Sequence, residues 1–299
     1  MNIKMKIFNY FLLLSIIWIY GIVIGTYKIT PYSQIKYIQD IIQPDSNSPY
    51  LAKNRYSDTS SKVYANIQKD LPTGVFLTYG QSNSLSNGQI GYNVNHSVYQ
   101  FFDDSCYIYS DPVLGSNKSN KVNNYGSVWG MVGDGLIEGG HFDQVIFSNC
   151  GWGGATISEL SEGELYNYIK SNFFKLKNNF GKVDGILFHQ GEKNHSSTLE
   201  GNKNYYAVFE KFWENLKKDQ INTSLFLSQA SYCDNNVDND LLNIQEKLII
   251  DLNNIYRGPN TDLLIDSKYR LPDGCHFSME GFAAFSKMWL TSIINPSEI

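Results

Sequence analysis

The chain has few of the features that mark nucleic-acid, metal or phosphate binding. It carries 24 Lys and Arg against 29 Asp and Glu, for a formal net charge of -5, and no basic cluster. A nucleic-acid-binding domain needs such a basic surface, so this class of partner is excluded. The four cysteines form no CxxC pair, and neither a GxGxxG motif nor a Walker lysine occurs. The sequence therefore predicts no metal and no nucleotide cofactor.

The N-terminus carries a long uncharged stretch. Residues 7–25, IFNYFLLLSIIWIYGIVIG, contain no charged side chain. This length suits a helix that crosses a bilayer and exceeds the core of a secretory signal, which is about 7 to 15 residues. Lys4 and Lys6 precede it, which favours a cytoplasmic N-terminus. We predict a membrane anchor or uncleaved signal over residues 1–26, a polar stalk or linker over 27–70, and an extracytoplasmic body; cleavage would make the protein secreted.

Beyond residue 70, apolar runs of strand length alternate with longer amphipathic stretches. With 42% hydrophobic residues over 299 positions, the chain is long enough to bury one large core. Uninterrupted apolar strands separated by helices are typical of a parallel sheet covered on both faces. We expect one three-layer α/β/α sandwich over residues 71–295. The predicted strands are residues 75–79, 144–149, 184–189, 224–228 and 262–265, and the predicted helices are 128–138, 158–178, 204–218, 238–256 and 279–294.

Short polar segments follow the predicted strands. In chain order they are GQSNS, CGWGGATI, HQGEKN, QASYCDN and DSKYRLPDGCHFS. The carboxyl ends of parallel strands meet at one edge of an open sheet, where ligands bind. The sequence therefore predicts a site that is built from several loops at this edge.

Ser82, in GQSNS, is the candidate nucleophile. A serine hydroxyl needs a nearby base at neutral pH, and histidine titrates in the required range. His276 is the preferred base because Asp273, three residues earlier, is close enough to hold its tautomer. The alternative for this pair is the acidic first turn of a helix. His189 also ends a predicted strand, but Glu192 is less clearly oriented toward it.

Ester hydrolysis also needs hydrogen-bond donors for the developing oxyanion. The glycine pair Gly153 and Gly154 leaves backbone N–H groups accessible, and Ser82 adds its own N–H. The side-chain amide of Gln190 is a further donor. The competing interpretation of Gln190 is a buried amide that satisfies loop carbonyls.

Four of these segments in this order, GQSNS, GGATI, HQGE and DGCHFS, resemble the SGNH hydrolases. The nearest branch is the sialate O-acetylesterase-like group, related to carbohydrate esterase family 6. The resemblance covers about residues 71 to 295. It implies a flavodoxin-like fold and a cofactor-independent serine esterase that removes acetyl groups from an O-acetylated glycan, either sialic acid or a polysaccharide.

The matching motifs imply a role for each site residue. Ser82 is the nucleophile, His276 the base and Asp273 its orienting acid. The oxyanion hole consists of Ser82, Gly154 and Gln190. The supporting residues are Gly153, which replaces Gly154 as donor if the loop is shifted by one residue, Glu192, Asn83 and Gln81.

The chain departs from the family pattern at three positions. It has GGATI where members often have GGTSI, Ser84 after GQSN, and Asn194 where members often have Asp. The first two changes concern the shape of the substrate site, and Asn194 is expected to weaken a structural network. None of the three removes a catalytic group.

The cysteines allow disulfides if the body is exported. An even number of cysteines in an oxidising compartment suggests pairing, and sequence alone leaves three connectivities open. Within the resemblance, Cys275 lies in the loop of the base and Cys233 in a neighbouring loop. We predict a Cys233–Cys275 bridge, with Cys106 and Cys150 as a second candidate pair.

Two other functions fit the same residues. A sugar hydroxyl can intercept an acyl-serine in place of water, which would make the protein a polysaccharide O-acetyltransferase. A non-catalytic glycan-binding module would use the same edge of the sheet as a cleft. Such a module has no need for Ser82, Asp273 and His276 together, so a carbohydrate O-acetylesterase is the leading hypothesis.

Overall fold

Seven strands and six α-helices form the part of the chain that the structure describes. The structure is a computed structural model, and it describes residues 50, 54–117, 126–198 and 201–296. The strands are β1 (Thr73–Gly80), β2 (Val98–Phe102), β3 (Ser105–Ile108), β4 (Gln144–Asn149), β5 (Gly185–His189), β6 (Leu225–Gln229) and β7 (Ile255–Asn260). The helices are α1 (Trp129–Glu138), α2 (Ile157–Ser161), α3 (Gly163–Phe180), α4 (Tyr205–Lys218), α5 (Asn239–Asp251) and α6 (Met279–Ile294).

The strands form one sheet in the order β3-β2-β4-β1-β5-β6-β7. All neighbouring strands are parallel except the edge hairpin of β2 and β3, which is antiparallel. The predicted parallel sheet is confirmed, and the hairpin adds two strands that the sequence patterns did not indicate. Every residue of β4, β5 and β6 is buried, as expected for strands covered on both faces.

Helices cover both faces of the sheet and produce the expected three layers. α1 and α6 pack against each other on one face, where the rings of Trp129 and Trp289 lie 5.4 Å apart. On the other face α3 contacts β1, and α5 contacts β6, β7 and α4, while α2 contacts α3 and α4. There Tyr79 and Phe188 of neighbouring strands pack against Phe212 of α4. Burial of these aromatic surfaces is the main stabilising contribution of each layer.

The last predicted strand and the helix before it are displaced in the structure. The predicted strand at 262–265 is wrong, since β7 lies earlier and residues Thr261–Leu263 form a 3-10 turn. The predicted helix 238–256 ends at Asp251, because the chain turns at Asn254 with φ +64. The apolar spacing continues through this turn into the strand, so periodicity alone could not separate the two elements.

The predicted helix at 158–178 is divided into α2 and α3. Glu162 separates them in an extended conformation, and Gly163 follows with φ +64. A capping box at Thr156 and Glu159 begins α2, since each side chain binds the backbone of the other residue.

The predicted stalk is wrong for its last part. Residues 54–70 pack onto the domain, where Ala65 donates to the carbonyl of Cys106 at 2.9 Å. Lys62 Nζ donates to the carbonyls of Ser110 and Pro112, at 2.6 and 2.8 Å. Polar composition predicted a solvated linker here, but the polar groups are bonded to the edge hairpin and the loop after it.

The predicted anchor, residues 1–26, lies outside the described residues, as does the linker up to residue 49. Within the described ranges, no helix combines the length and apolar character that crossing a membrane requires. Membrane attachment therefore stays a prediction.

The second candidate disulfide is not formed. Cys106 and Cys150 are buried free thiols. Cys106 belongs to β3 and Cys150 follows β4, and β2 lies between these strands. Two strand spacings amount to about 9.5 Å, which exceeds the roughly 7 Å that a disulfide can span.

Gly80, the last residue of β1, allows the sheet to continue into the turn of Ser82. It has φ +136, and a Cβ there would collide with the carbonyl of His189. We expect Gly80→Ala to cost more than about 3 kcal/mol, since overpacking adds to backbone strain. The measurement is the free energy of unfolding in urea.

Gly181→Ala is the matched control. Gly181 also has positive φ, +76, but a Cβ there would meet no atom within 4 Å. Backbone strain alone predicts a loss of about 1–2 kcal/mol. Equal losses in the two variants would contradict the steric argument.

Candidate active site

The carboxyl ends of β1, β4, β5, β6 and β7 lie at one edge of the sheet, and the site is built from the loops that follow them. After β1, Ser82–Ser84 form a 3-10 turn. Gln81 and Asn83 are buried, whereas Ser82 between them is half-buried. The turn therefore directs its two amides inward and leaves the serine at the surface of the site.

Gln81 attaches this turn to the loop after β5. Its Oε1 accepts the N–H groups of Gly191 and Lys193, at 3.3 and 3.1 Å, and its own N–H donates to the carbonyl of His189. Gln81 thus joins the residue before Ser82 to the end of β5 and the loop after it. The predicted supporting function of this residue fits these contacts.

His276 and Asp273 lie together, as predicted. Nδ1 of His276 is 2.7 Å from Oδ2 of Asp273, and Oδ1 accepts the N–H groups of Cys275 and His276 at 2.9 and 3.0 Å. Burial by itself raises the pKa of Asp273, but the bonds from His276 and Cys275 outweigh it and lower the pKa below its usual value. The carboxylate is ionised at neutral pH, and it holds the proton of His276 on Nδ1.

The other ring nitrogen of His276 makes no hydrogen bond to Ser82 or to another described residue. Nε2 is shielded from solvent and has no hydrogen-bond partner. With Nδ1–H directed at Asp273, this nitrogen carries the lone pair. Asp273 and His276 do not form the acidic first turn of a helix, which was the alternative interpretation, because α6 begins only at Met279.

The residues next to Ser82 and His276 are in direct contact. Nδ2 of Asn83 donates to Oε1 of Glu192 at 2.8 Å and to the carbonyl of Cys275 at 3.3 Å. Cys275 also forms a disulfide with Cys233, with a Cα–Cα distance of 4.3 Å. The turn after β1 and the loop of His276 therefore meet at the same end of the sheet.

His189 has a different environment from His276. It is fully buried, its ring packs against Phe285, and its Nε2 lies 3.0 Å from Oε1 of Glu192. Glu192 is therefore oriented toward His189, which the sequence had left less clear than the orientation of Asp273 toward His276. Because His189 has no exposed surface, it supports the site from below and does not reach a substrate.

Glu192 is a buried anion with two partners. Burial by itself raises its pKa, but the facing His189 and the hydrogen bonds from His189 and Asn83 outweigh this and lower the pKa to about 2. The carboxylate thus remains charged at all ordinary pH values. The supporting role predicted for Glu192 fits its position between two loops.

The two glycines of the second loop differ in their contacts. The N–H of Gly153 donates to Oδ1 of Asn117 at 3.0 Å. Around Gly154, by contrast, a Cβ would meet no atom within 4 Å. Gly154 is therefore the glycine with an approachable backbone, and the one-residue shift to Gly153 is disfavoured.

Gln190 is not placed as an oxyanion donor, and this prediction needs correction. The residue is fully buried, and its Nε2 donates to the carbonyl of Ala155 at 3.2 Å and to Oδ1 of Asn194 at 2.7 Å. The amide nitrogen therefore satisfies two loop acceptors. The physical reason is that its buried side chain lies against the loops after β4 and β5, which supply the two acceptors.

Asn194 also differs from the expectation that it weakens the network. Its Oδ1 accepts from Gln190 and from the N–H of Ile157, at 2.8 Å, and its Nδ2 donates to the carbonyl of Gly201 at 3.1 Å. The amide uses both its donor and its acceptor. An aspartate here would lack the donor for Gly201.

Sequence reasoning missed Arg270, which supports the loop of His276. Its buried guanidinium donates to the carbonyls of Leu264, Cys275 and Thr261, each at 2.7 Å. A signal existed, because only three of the 24 basic residues are arginine: Arg55, Arg257 and Arg270. A chain that otherwise uses lysine retains arginine where a rigid fork of donors is needed.

Asp262 was also missed, because the sequence pattern assigned it to a strand. It accepts the N–H groups of Ser231 and Tyr232, at 2.9 and 3.1 Å, directly before Cys233. Burial raises the pKa of Asp262.

Within the described part of the chain, no group of three or more His, Cys, Asp or Glu side chains could hold a metal ion.

The buried Glu192 gives a prediction for acid stability. Its pKa is lowered from 4.5 to about 2, so its stabilising contribution is present above pH 4.5 and is lost as pH falls toward 2. We expect Glu192→Gln to flatten the decrease of unfolding free energy across this range, by up to about 1.4 kcal/mol per pH unit. The measurement is urea unfolding between pH 2 and 6.

Glu246→Gln is the control. Glu246 also has a lowered pKa, from its hydrogen bond to Arg257, but this pair is partly exposed. An exposed pair contributes little, so this variant keeps most of the parental acid dependence. An unchanged acid limb in Glu192→Gln would refute the assignment of that limb to Glu192.

Comparison with known proteins agrees with the fold and the motifs. The family model described as carbohydrate esterase, sialic acid-specific acetylesterase, matches residues 72–295. No curated protein sequence is a significant match. A solved structure of a protein from Arabidopsis thaliana has a TM-score of 0.60 at 14% identity, covering 75% of this chain and 98% of that one.

Two further solved structures are similar at a lower level. A lipase/acylhydrolase from Enterococcus faecalis has a TM-score of 0.47 at 12% identity, over 76% of this chain and 100% of that one. A carbohydrate acetylesterase from Xanthomonas citri has a TM-score of 0.45 at 13% identity, over 75% of this chain and 56% of that one. Likeness at such identities concerns the fold. The family match spans most of the chain, and the protein therefore belongs to the carbohydrate esterases of the sialic acid-specific acetylesterase family, as a carbohydrate acetylesterase.

Proposed function

We propose that the protein removes O-acetyl groups from a glycan through an acyl-serine intermediate, with Ser82 as nucleophile, His276 as base and Asp273 as orienting acid. The observation that carries this proposal is the unpartnered Nε2 of His276, whose Nδ1 is held by Asp273. The contact between Asn83 and the carbonyl of Cys275 joins the residues that flank Ser82 and His276. An acceptor nitrogen and a half-buried hydroxyl thus belong to adjoining loops.

The first half of the reaction forms the acyl-serine. Nε2 of His276 takes the hydroxyl proton of Ser82, and Oγ attacks the carbonyl carbon of the acetyl ester. The N–H groups of Ser82 and Gly154 stabilise the resulting oxyanion. When the tetrahedral intermediate collapses, the C–O bond to the sugar breaks and His276 returns the proton to the sugar oxygen.

The second half releases acetate by the same groups. His276 takes a proton from water, the hydroxide attacks the acetyl-serine, and the proton returns to Oγ of Ser82 as acetate leaves. The ionised Asp273 stabilises the imidazolium that forms in each half. Its lowered pKa keeps it charged while the proton is on His276.

The same proposal places the catalytic body outside the cytoplasm, attached to a membrane by residues 1–26. The support is the uncharged stretch of residues 7–25 together with the Cys233–Cys275 disulfide. Disulfides persist in oxidising compartments and are rare in the cytoplasm. Acetylated sialic acids and polysaccharides at the cell exterior are the substrates that this location offers.

Ser82→Ala tests the nucleophile. We expect it to lower the turnover of p-nitrophenyl acetate by at least about 10³-fold, since the residual rate then comes from binding and the oxyanion hole alone. The measurement is p-nitrophenol release, with added sugar acceptors analysed by mass spectrometry. Release of the acetyl group only as free acetate supports hydrolysis, whereas an acetylated form of the added sugar identifies a transferase.

Ser84→Ala is the matched control in the same turn. The hydroxyl of Ser84 is fully buried and donates to the carbonyl of Gln81, so it does not face a substrate, contrary to the expectation from the sequence. This variant is expected to keep most of the turnover. Equal background rates in the parent and in Ser82→Ala would favour the non-catalytic glycan-binding module.

A comparison of two histidines tests the base. We expect His276→Ala to lower kcat about 10²- to 10⁴-fold, which is the usual loss for removal of a general base. His189→Gln retains a polar partner for Glu192 and is expected to keep much of the turnover, with a lower melting temperature. The measurements are kcat and thermal unfolding; the opposite pattern of kcat would transfer the role of base to His189.

A further inference from the structure

Residues 54–56, which precede the family-matched region 72–295, pair with the loop before the glycine-rich segment. Arg55 and Asn117 form an antiparallel bridge. Tyr56 donates its N–H to the carbonyl of Ser116 at 2.6 Å. The chain before the family domain is therefore tied to residues 115–117.

The side chain of Arg55 reaches the carbonyl oxygens of the glycine-rich loop. Its Nη1 donates to the carbonyl of Gly115 at 2.6 Å and lies 3.4 Å from the carbonyl of Gly151 and 3.5 Å from that of Cys150. Only 1% of Arg55 is exposed, and the guanidinium lies 3.5 Å from the ring centroid of Tyr168. Burial lowers the pKa of Arg55, although Tyr168 and Cys150 oppose this effect. The buried guanidinium of Arg55 is thus held next to the carbonyl oxygens of residues 150 and 151.

The same pairing also fixes the N–H side of the loop. Asn117, opposite Arg55 in the bridge, accepts the N–H of Gly153 with its Oδ1 at 3.0 Å. The N–H of Trp152 donates to the carbonyl of Gly80 at 2.8 Å, at the end of β1. The carbonyls of residues 150 and 151 and the N–H groups of residues 152 and 153 are therefore all bound, and Gly154 is the next residue along the chain.

We infer that Arg55 is a positioning residue for the oxyanion-binding backbone: it holds the carbonyls of residues 150 and 151 so that the N–H of Gly154 is directed toward Ser82. This inference rests on the proposed function. Arg55 acts through the loop and does not contact the substrate. A donor N–H stabilises the oxyanion only when its position is held closely, so loss of the cation lowers kcat more than it changes KM.

Three variants of the full chain test this role. Arg55→Met removes the charge and keeps most of the side-chain length. We expect kcat for p-nitrophenyl acetate to fall about 10- to 100-fold. This loss is smaller than the one that follows removal of an oxyanion donor itself, which is about 10²- to 10³-fold. KM is expected to stay within about threefold of the parent, because the ground state makes little use of the oxyanion hole. Arg55→Lys keeps a cation near the carbonyl of Gly115 and is expected to recover part of kcat.

Lys62→Met is the matched control. Lys62 belongs to the same N-terminal segment, and its Nζ donates to the carbonyls of Ser110 and Pro112 rather than to the glycine-rich loop. We expect this variant to lose thermal stability while its kcat stays within about twofold of the parent, as for a contact remote from the reacting groups. Equal kcat in Arg55→Met and Lys62→Met, corrected for the folded fraction, would overturn the inference.

Amide hydrogen exchange gives a readout that does not depend on activity. In Arg55→Met, exchange in the peptide covering residues 150–155 is expected to accelerate at least about tenfold, while β4 remains protected and Lys62→Met shows no such change. Unchanged exchange in 150–155 would refute the positioning role even if kcat falls. A parent chain without Ser82-dependent turnover would instead refute the proposed function, and the exchange result would still decide whether Arg55 holds the loop.

Discussion

The buried carboxylate of Glu192 is the constraint on which the arrangement of the site depends. A charge removed from water is costly unless it is paired and hydrogen-bonded, and Glu192 obtains both from His189 and Asn83. Asn83 has a second contact, to the carbonyl of Cys275. One carboxylate therefore specifies the distance between the turn after β1, the end of β5 and the loop of His276.

The motifs that suggested the function divide into structural and chemical residues. In GQSN, the flanking amides of Gln81 and Asn83 hold the loops, and only Ser82 lies at the surface. In HQGE, the three residues with functional side chains, His189, Gln190 and Glu192, are buried. The HQGE segment therefore has a structural role, and the reactive groups belong to the GQSN and DGCHFS segments.

Two of the three arginines, Arg55 and Arg270, show how a chain rich in lysine supports its loops. Arg270 binds three carbonyls around the loop of His276, and Arg55 reaches the carbonyls of the glycine-rich loop. A planar fork satisfies several acceptors at once, which a single ammonium group does less well. Arg55 also shows that residues outside the family-matched region contribute to the geometry of the site.

The sequence by itself determined the local elements and the chemical groups. Alternating strand and helix patterns predicted the layered sheet, and the order of four segments predicted that Ser82, His276 and Asp273 belong to one edge. The Asp273–His276 contact lies within three residues, so a local pattern was sufficient for it. The Cys233–Cys275 pairing followed from the neighbouring loops of the fold.

Only the tertiary structure decided which way the amide of Gln190 points, that Cys106 and Cys150 are separated by β2, and where the chain leaves α5 for β7. The packing of residues 54–70 was hidden as well, because its partners lie about 40 to 96 positions away in the chain. The periodicity of apolar residues indicates whether a side chain faces the core. It does not indicate which distant residue that side chain contacts. Such contacts arise from the register of the sheet and the packing of its loops, which form only when the whole domain folds.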